Sequence, residues 1–234
     1  MKLESFFFKL RQIFQSLENG KTFIADLPAP SIRDGEILIR SKKSLISAGT
    51  EKMLKEFGQS NLINKALNNP DKVREVVNKL KNDGFFSTIE AINSKLDNPI
   101  PLGYSNVGVV EEIGKKTKGF KVGDRVVSNG YHAGFVTVPA NLCAKIPDNV
   151  SDDEAVFTVL GAIGLQGVRL GKPTFGETFV VSGLGVIGLI TSQILISNGC
   201  RVIAYDPDER RCKEASKIGI ETYSLGENAN ISKF

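Results

Sequence analysis

The sequence predicts a β-rich part followed by an α/β part with a doubly wound parallel sheet. Two observations predict this order. Short alternating runs bounded by Gly, Pro and Asp dominate residues 1–150, whereas capped apolar helices alternate with strands over residues 151–234. We therefore expect two domains with these bounds, the first interrupted by a helical insertion at about 51–98.

The composition argues against several classes of protein. Of 234 residues, 41% are hydrophobic, which is enough for a buried core. The net charge of +4 comes from interspersed lysines and acids without the aromatic residues of a nucleic-acid platform, so we expect no nucleic-acid partner. Three cysteines without CxxC spacing indicate a reducing compartment, and no apolar run reaches the roughly 20 residues of a membrane span. We expect a soluble, cytoplasmic protein with no membrane partner.

Short strands are expected on either side of the insertion. Thr22–Leu27 alternates between apolar and polar residues, and the turn at Asp34 and Gly35 precedes a strand over 36–41. Residues 101–114 carry glycines inside a strand pattern, which indicate bends or close backbone approach. Further strands are expected after Gly123 and over 134–139 and 142–147. Together these features predict a small curled β-barrel.

The insertion carries two helix signals. Asn69, Pro70 and Asp71 supply an N-cap, a first-turn proline and a first-turn acid. Ser87 and Glu90 have the spacing of a capping box. Their apolar stripes fit faces that pack on the body of the protein, and a lid or partner surface is the alternative.

The α/β part opens with a capped helix and turns on three glycines. Ser151 followed by acids predicts a helix start, with an apolar helix running to about residue 170. The strand Thr178–Ser182 then enters a GxGxxG turn that opens a second helix. Such glycines allow a tight turn, close approach of a pyrophosphate and close helix–strand packing. The expected cofactor contacts are Gly183, Leu184, Gly185, Val186, Ile187 and Gly188.

An acidic residue follows at the end of the next strand. Asp206 stands 18 residues beyond Gly188, where a carboxylate accepts hydrogen bonds from the ribose of NAD and repels the 2′-phosphate of NADP. We therefore expect NAD, with NADP the less favoured cofactor. An ordinary glycine turn with a surface aspartate, and S-adenosylmethionine binding, are the alternatives.

The sheet that these elements predict is incomplete. A helix over 208–217 stops at Gly219, and a third strand follows at 220–224. A full doubly wound sheet has a fourth strand beside the first, across the nucleotide crevice. Its absence would leave an open apolar edge, so we expect a truncated piece of a larger enzyme that is inactive alone.

The motifs of residues 101–110, 119–126, 146–155 and 183–188 together resemble the medium-chain dehydrogenase/reductase superfamily of zinc alcohol dehydrogenases and zinc-free quinone reductases. The resemblance implies an N-terminal GroES-like domain before an incomplete Rossmann domain. Residues 45–53 and 128–133 are similar to a bacterial branch that is often fused to a glucose–fructose-oxidoreductase-like domain and linked to sugar metabolism. As partners, the resemblance implies further copies of the same protein in a homo-oligomer and a fused second oxidoreductase domain.

The sequence departs from the zinc-binding relatives at their metal ligands. Gly103-Tyr104-Ser105 stands where they carry Gly-His-Glu, Ser47-Ala48-Gly49 replaces their cysteine loop, and no cysteine lies near Thr158. Tetrahedral zinc needs Cys, His or carboxylate ligands, so we expect no zinc. The single histidine, His132, is read as a structural residue, with a pocket or proton-relay role and a metal ligand as alternatives.

The resemblance implies a zinc-free, NAD-dependent oxidoreductase that transfers a hydride between nicotinamide and a carbonyl or alcohol, such as a sugar-derived small molecule. A proton donor or acceptor is then needed, and the candidate catalytic residues are Tyr104, Ser47, Thr50 and His132. The alternative is a non-catalytic dinucleotide-binding module or an inactive fragment of a larger fused oxidoreductase.

Overall fold

A computed structural model describes residues 10–59 and 98–224, with the backbone alone at 57–59. The chain divides into two compact units, Met1–Val156 and Phe157–Phe234. Within the described residues, no helix is long and apolar enough to cross a membrane.

A small antiparallel sheet opens the first unit. Its order is β2 (Thr22–Leu27), β1 (Leu10–Gln15), β4 (Ile100–Pro101), and Phe14 stacks on Phe23 with ring centroids 6.0 Å apart. Strand β1 was not predicted from the sequence. The polar residues Gln12 and Gln15, three positions apart and therefore on opposite faces of the strand, are both buried, so β1 lacks the apolar–polar alternation of a half-buried strand.

The main sheet of the first unit has five antiparallel strands in the order β7-β3-β5-β6-β8. Its core is a set of buried aliphatic side chains on β3, β5, β6 and β7, where period-2 alternation sends them to one face. The strands are β3 (Glu36–Ser44), β5 (Asn106–Ile113), β6 (Arg125–Ser128), β7 (Phe135–Pro139) and β8 (Cys143–Lys145).

The predicted curled β-barrel is not seen among the described residues. The five-stranded sheet is open, with β7 and β8 at its two ends and one hydrogen-bonded partner each. The glycines that suggested curling serve close approach instead. A Cβ on Gly108 would overlap the carbonyl of Arg40, and one on Gly114 would overlap that of Arg33. The pairing of β3 with β5 also shifts register twice, which bends the sheet without closing it.

The first unit also contains two described helices, one after strand β3 and one near its end. Helix α1 (Ala48–Gln59) begins directly in the loop after β3. The helices predicted from Asn69 and Ser87 lie outside the described residues. The short helix α2 (Asp152–Ala155) has the predicted capping box, in which Ser151 and Glu154 satisfy each other's backbone N–H groups.

The second unit is a three-stranded parallel sheet with helices between its strands. Helix α3 (Thr158–Gly171) ends at Lys172, which adopts the left-handed conformation. The strands are β9 (Thr178–Ser182), β10 (Arg201–Asp206) and β11 (Glu221–Ser224), connected by α4 (Val186–Ser197) and α5 (Glu209–Lys217). The order β11-β10-β9 confirms the predicted parallel half-sheet, and its core includes Leu195, Val202 and Ala204. Within the described residues, β9 has β10 as its one paired neighbour.

Candidate functional site

The glycine turn of the second unit is built as the spacing predicts. Gly183 follows β9 with φ +90°, and its N–H donates to the carbonyl of Tyr205 at 2.8 Å. Gly188 lies so close to the Gly183 carbonyl that a Cβ there would overlap it. The first glycine therefore permits the turn, and the third permits close packing of α4 on the strand.

The N-terminus of α4 opens onto empty space at Gly185. This residue is the helix N-cap, it has no side chain to cap the helix, and among the residues that the structure describes no heavy atom lies within 4 Å of a Cβ built on it. The first N–H groups of a helix lack intrahelical acceptors and carry partial positive charge. The space, the donors and the charge together fit a phosphate group of a dinucleotide.

The residues between these glycines face different surroundings. Leu184 is 1% exposed and lies in the core, so its side chain supports the turn rather than facing a ligand. Val186 and Ile187, on the first turn of α4, are 46% and 41% exposed. Any contact of this turn with a cofactor therefore involves its backbone and the exposed Val186 and Ile187.

Asp206 is buried, and its carboxylate already has partners. Oδ2 accepts the N–H of Leu184 at 2.8 Å and lies 3.3 Å from Arg211, while Oδ1 accepts the N–H of Asp208 at 2.9 Å. Burial by itself would raise the pKa of Asp206, but these three donors lower it below the usual aspartate value. The carboxylate is therefore ionised at neutral pH, and it fastens the end of β10 to the glycine turn. Its predicted contact with a ribose stays a prediction.

Arginine side chains accompany this carboxylate. Arg210 pairs with Asp208 at 2.9 Å, and this hydrogen bond lowers the pKa of Asp208 to about 2. Arg211 is half exposed beside Asp206. A nearby arginine is the feature that accommodates the 2′-phosphate of NADP. The end of β10 therefore carries both negative carboxylates, which disfavour that phosphate, and positive arginines, which favour it.

In the first unit, three side chains form a continuous hydrogen-bonded array. His132 is 5% exposed, with Nδ1 2.8 Å from the Ser44 hydroxyl and Nε2 3.0 Å from Glu51 Oε1. The same carboxylate oxygen accepts the N–H of Ser47 at 3.0 Å, and the hydroxyls of Ser47 and Thr50 lie 3.3 Å apart. Three of the four predicted catalytic residues, His132, Ser47 and Thr50, thus meet at the start of α1.

Neither Ser44 nor Glu51 was among the candidates from sequence. Glu51 lies 81 residues from His132 in the sequence, and Ser44 lies 88 residues from it. Sequence patterns span a few residues and cannot predict contacts at such separations. The one available signal was local: Glu51 stands four residues after Ser47, the spacing of a side chain that turns back to a helix start.

The position of the fourth candidate, Tyr104, follows from its neighbours. Gly103 has φ +91°, and a Cβ on it would lie 2.6 Å from the backbone nitrogen of His132. Tyr104 is half-buried directly after it. Ser105, fully buried, donates to the carbonyl of Val156 at 2.6 Å, so this residue anchors the chain.

The described residues contain no group of three or more His, Cys, Asp or Glu side chains that could hold a metal ion. Cys143 is half-buried, and burial raises the pKa of its thiol to about 11. Cys200 and Cys212 are buried.

Comparison with known proteins finds a family match over part of this chain. Residues 81–182 match the alcohol dehydrogenase GroES-like domain. L-threonine 3-dehydrogenase of Escherichia coli is 32% identical over 154 residues, which are 52% of this chain and 45% of that protein. L-idonate 5-dehydrogenase of Vitis vinifera is 26% identical over 168 residues, 58% of this chain and 46% of that protein. The chain thus spans less than half the length of these two curated relatives.

Solved structures share the fold at low identity. One is a short chain alcohol dehydrogenase from Escherichia coli CFT073 in complex with the cofactor NADH. It has a TM-score of 0.70 at 19% identity, and the match covers 94% of this chain and 63% of that chain. A mycobacterial protein in complex with NADPH has a TM-score of 0.67 at 22% identity and covers 96% and 61%. At these identities the likeness supports the fold, and the relatives include binders of either cofactor.

Proposed function

We propose that this chain belongs to the medium-chain dehydrogenase/reductase superfamily, and that it is a zinc-independent, NAD-preferring oxidoreductase acting on a carbonyl or alcohol. The match of residues 81–182 to the alcohol dehydrogenase GroES-like domain supports the family. The observation that carries the proposal is the open space at Gly185, at the N-terminus of α4 and beside a parallel strand that ends in Asp206. Strand, glycine turn, helix and acid are the parts of a dinucleotide site, and here they stand in that order.

The residues of the second unit would hold the cofactor by its phosphates and ribose. The N–H groups at the first turn of α4 would receive a phosphate, and the absence of a Cβ at Gly185 leaves room for it. The Asp206 carboxylate, ionised at neutral pH, would repel a 2′-phosphate and so favour NAD. The bound nicotinamide supplies the hydride donor or acceptor.

The first unit would supply the proton that accompanies hydride transfer. Without a metal to polarise an oxygen, a side chain has to hold that proton. Of the four candidates Tyr104, Ser47, Thr50 and His132, the imidazole has the strongest support, because both of its nitrogens are hydrogen-bonded to side chains. The names of the relatives, an L-threonine and an L-idonate dehydrogenase, support a small hydroxylated substrate, including one derived from a sugar.

The test is a titration of the chain with NADH, NADPH and S-adenosylmethionine, followed by fluorescence and calorimetry. We expect NADH to bind more tightly than NADPH. Gly185→Val should weaken NADH about tenfold or more, because it fills the open space while the residue keeps an extended backbone that valine adopts readily. Gly167→Ala, in open space on α3, is the matched control and should leave the Kd unchanged.

The outcomes separate the rival functions. Equal affinity for NADH and NADPH would contradict the cofactor preference, and tighter binding of S-adenosylmethionine would contradict the dinucleotide site. Binding of NADH without turnover of any alcohol, aldehyde or quinone in the full-length protein would favour a non-catalytic binding module.

A further inference from the structure

We propose that Ser44, His132 and Glu51 form one acid–base relay, in which the Ser44 hydroxyl exchanges the substrate proton, the imidazole stores it and Glu51 sets the tautomer of the imidazole. The inference rests on the proposed oxidoreductase function and extends it to a specific proton path. Its basis is the juxtaposition of Ser44 Oγ and Glu51 Oε1 at opposite nitrogens of one buried ring, at 2.8 Å and 3.0 Å.

The direction of each hydrogen bond follows from the second donor to Glu51. Oε1 accepts the backbone N–H of Ser47, which can only donate. The same oxygen then acts as an acceptor toward the ring, so Nε2 carries the proton. When the ring is neutral, Nδ1 then presents its lone pair to the Ser44 hydroxyl, which donates. This is the arrangement of a hydroxyl activated by a base that a carboxylate orients.

The array runs from the interior to the surface. The His132 side chain is 4% exposed and that of Glu51 is 14% exposed, whereas Ser44, the last residue of β3, is exposed. Ser44 is thus the end of the array that an outside molecule can reach. A proton taken up there reaches the imidazole without crossing solvent.

The backbone around the ring fixes its place. The His132 N–H donates to the carbonyl of Leu102 at 2.8 Å, and the His132 carbonyl accepts from Ile13 at 3.0 Å. Gly103 packs so closely that a Cβ there would lie 2.7 Å from ring atoms. The two backbone hydrogen bonds and the close packing of Gly103 hold the His132 ring in one position. The ring is therefore pre-organised for one set of hydrogen bonds, which limits reorganisation during proton transfer.

The proton balance is simple in either direction. In alcohol oxidation the substrate hydroxyl would give its proton to Ser44 Oγ as Ser44 passes its own to Nδ1, while a bound nicotinamide would accept the hydride that balances the step. Loss of the proton and the hydride would convert the alcohol to a carbonyl, and the Glu51 carboxylate would stabilise the imidazolium that forms. In carbonyl reduction, the imidazolium returns its proton through Ser44 to the substrate oxygen.

The experiment uses the single histidine of the chain. With ¹⁵N-labelled histidine, NMR reports which ring nitrogen is protonated. We expect the proton on Nε2 in the wild type, a mixture of tautomers in Glu51→Gln, and a downfield shift of the Nδ1 resonance in Ser44→Ala. Ser41→Ala is the control, because this hydroxyl on the same strand bonds Asn106 instead of the ring.

A kinetic arm, run on the full-length protein, uses NADH with p-benzoquinone as a small carbonyl probe. Ser44→Ala and Glu51→Gln should each lower kcat by about a hundredfold, with an unchanged KM for the quinone and an unchanged Kd for NADH. A proton found on Nδ1, an unchanged tautomer in Glu51→Gln, or unchanged turnover in Ser44→Ala would overturn the relay. Loss of NADH binding in the wild type would refute the proposed function instead, and the ¹⁵N spectrum would still decide the relay.

Discussion

The carboxylate of Asp206 accepts the backbone N–H of Leu184 at 2.8 Å, and so joins the end of one strand to the glycine turn after its neighbour. Both residues are almost fully buried. Asp206, which the sequence predicts as a ribose ligand, thus forms a structural hydrogen bond inside the unit. This bond determines what substitution of Asp206 does to stability.

Asp206→Asn should lower the free energy of unfolding at pH 7 by about 1.5–3 kcal/mol, the usual worth of hydrogen bonds to a charged group. The amide keeps the size of the side chain but loses the charge that Arg211 and two backbone N–H groups stabilise. Urea unfolding of the two proteins measures the difference. Asp148→Asn, an exposed surface carboxylate, is the control and should change stability little.

The pH dependence of this difference has a defined sign. The folded-state pKa of Asp206 lies below its unfolded value, so the stabilisation is fully present above pH of about 4 and is lost as the pH falls through the folded pKa. Urea midpoints of wild type and Asp206→Asn should therefore converge toward acid. A gap that widens on acidification would contradict the ionised carboxylate.

Gly188→Ala should destabilise the second unit, because the new methyl group overlaps the carbonyl of Gly183. We expect a loss of about 1–3 kcal/mol or more, as for other overpacked sites. Thermal unfolding checks it against Gly167→Ala, where the Cβ meets open space on a helix and should stabilise by about 0.5–1 kcal/mol. Equal stability of the two variants would show that α4 shifts at no cost.

Gly103→Ala should disturb the His132 ring beyond the cost of its backbone conformation. Gly103 and Gly35 both have positive φ, but a Cβ at Gly35 meets nothing within 4 Å, whereas one at Gly103 overlaps His132. We expect Gly103→Ala to lose about 1–3 kcal/mol more than Gly35→Ala and to move the histidine NMR signals. Gly35→Ala should leave those signals in place, and a shift in both variants would argue against a local clash.

Cys143 should resist alkylation at neutral pH. Burial raises the pKa of its thiol to about 11 from an ordinary value of 9.0, and the thiolate is the reactive form. Labelling by iodoacetamide, followed by mass spectrometry, should be about a hundredfold slower than in the unfolded chain and should accelerate as the pH approaches 11. Labelling at the unfolded rate would show that the thiol is accessible and normally acidic.

Local signals predicted the second unit well and the first unit less well. The glycine turn and the Ser151 capping box are readable because each is set by residues within six positions of one another. Strand β1 was missed because the polar residues Gln12 and Gln15 are buried on opposite faces of the strand. The curled barrel was inferred from glycines, which indicate close approach of backbones and do not determine whether the edges of a sheet meet. The hydrogen-bonded array at His132 was not predicted, because its partners Ser44 and Glu51 are distant from it in the sequence.

The second partner of strand β1 has a consequence for the newly made chain. Phe14 pairs with Pro101, 87 residues later, whereas Thr178 pairs with Arg201 only 23 residues on. At about 5–20 residues per second of synthesis, β1 waits roughly 4 to 17 seconds for β4 to be made. During that time its β4-facing edge is exposed to other nascent chains, so the order of synthesis, more than final stability, sets when this segment is vulnerable to aggregation.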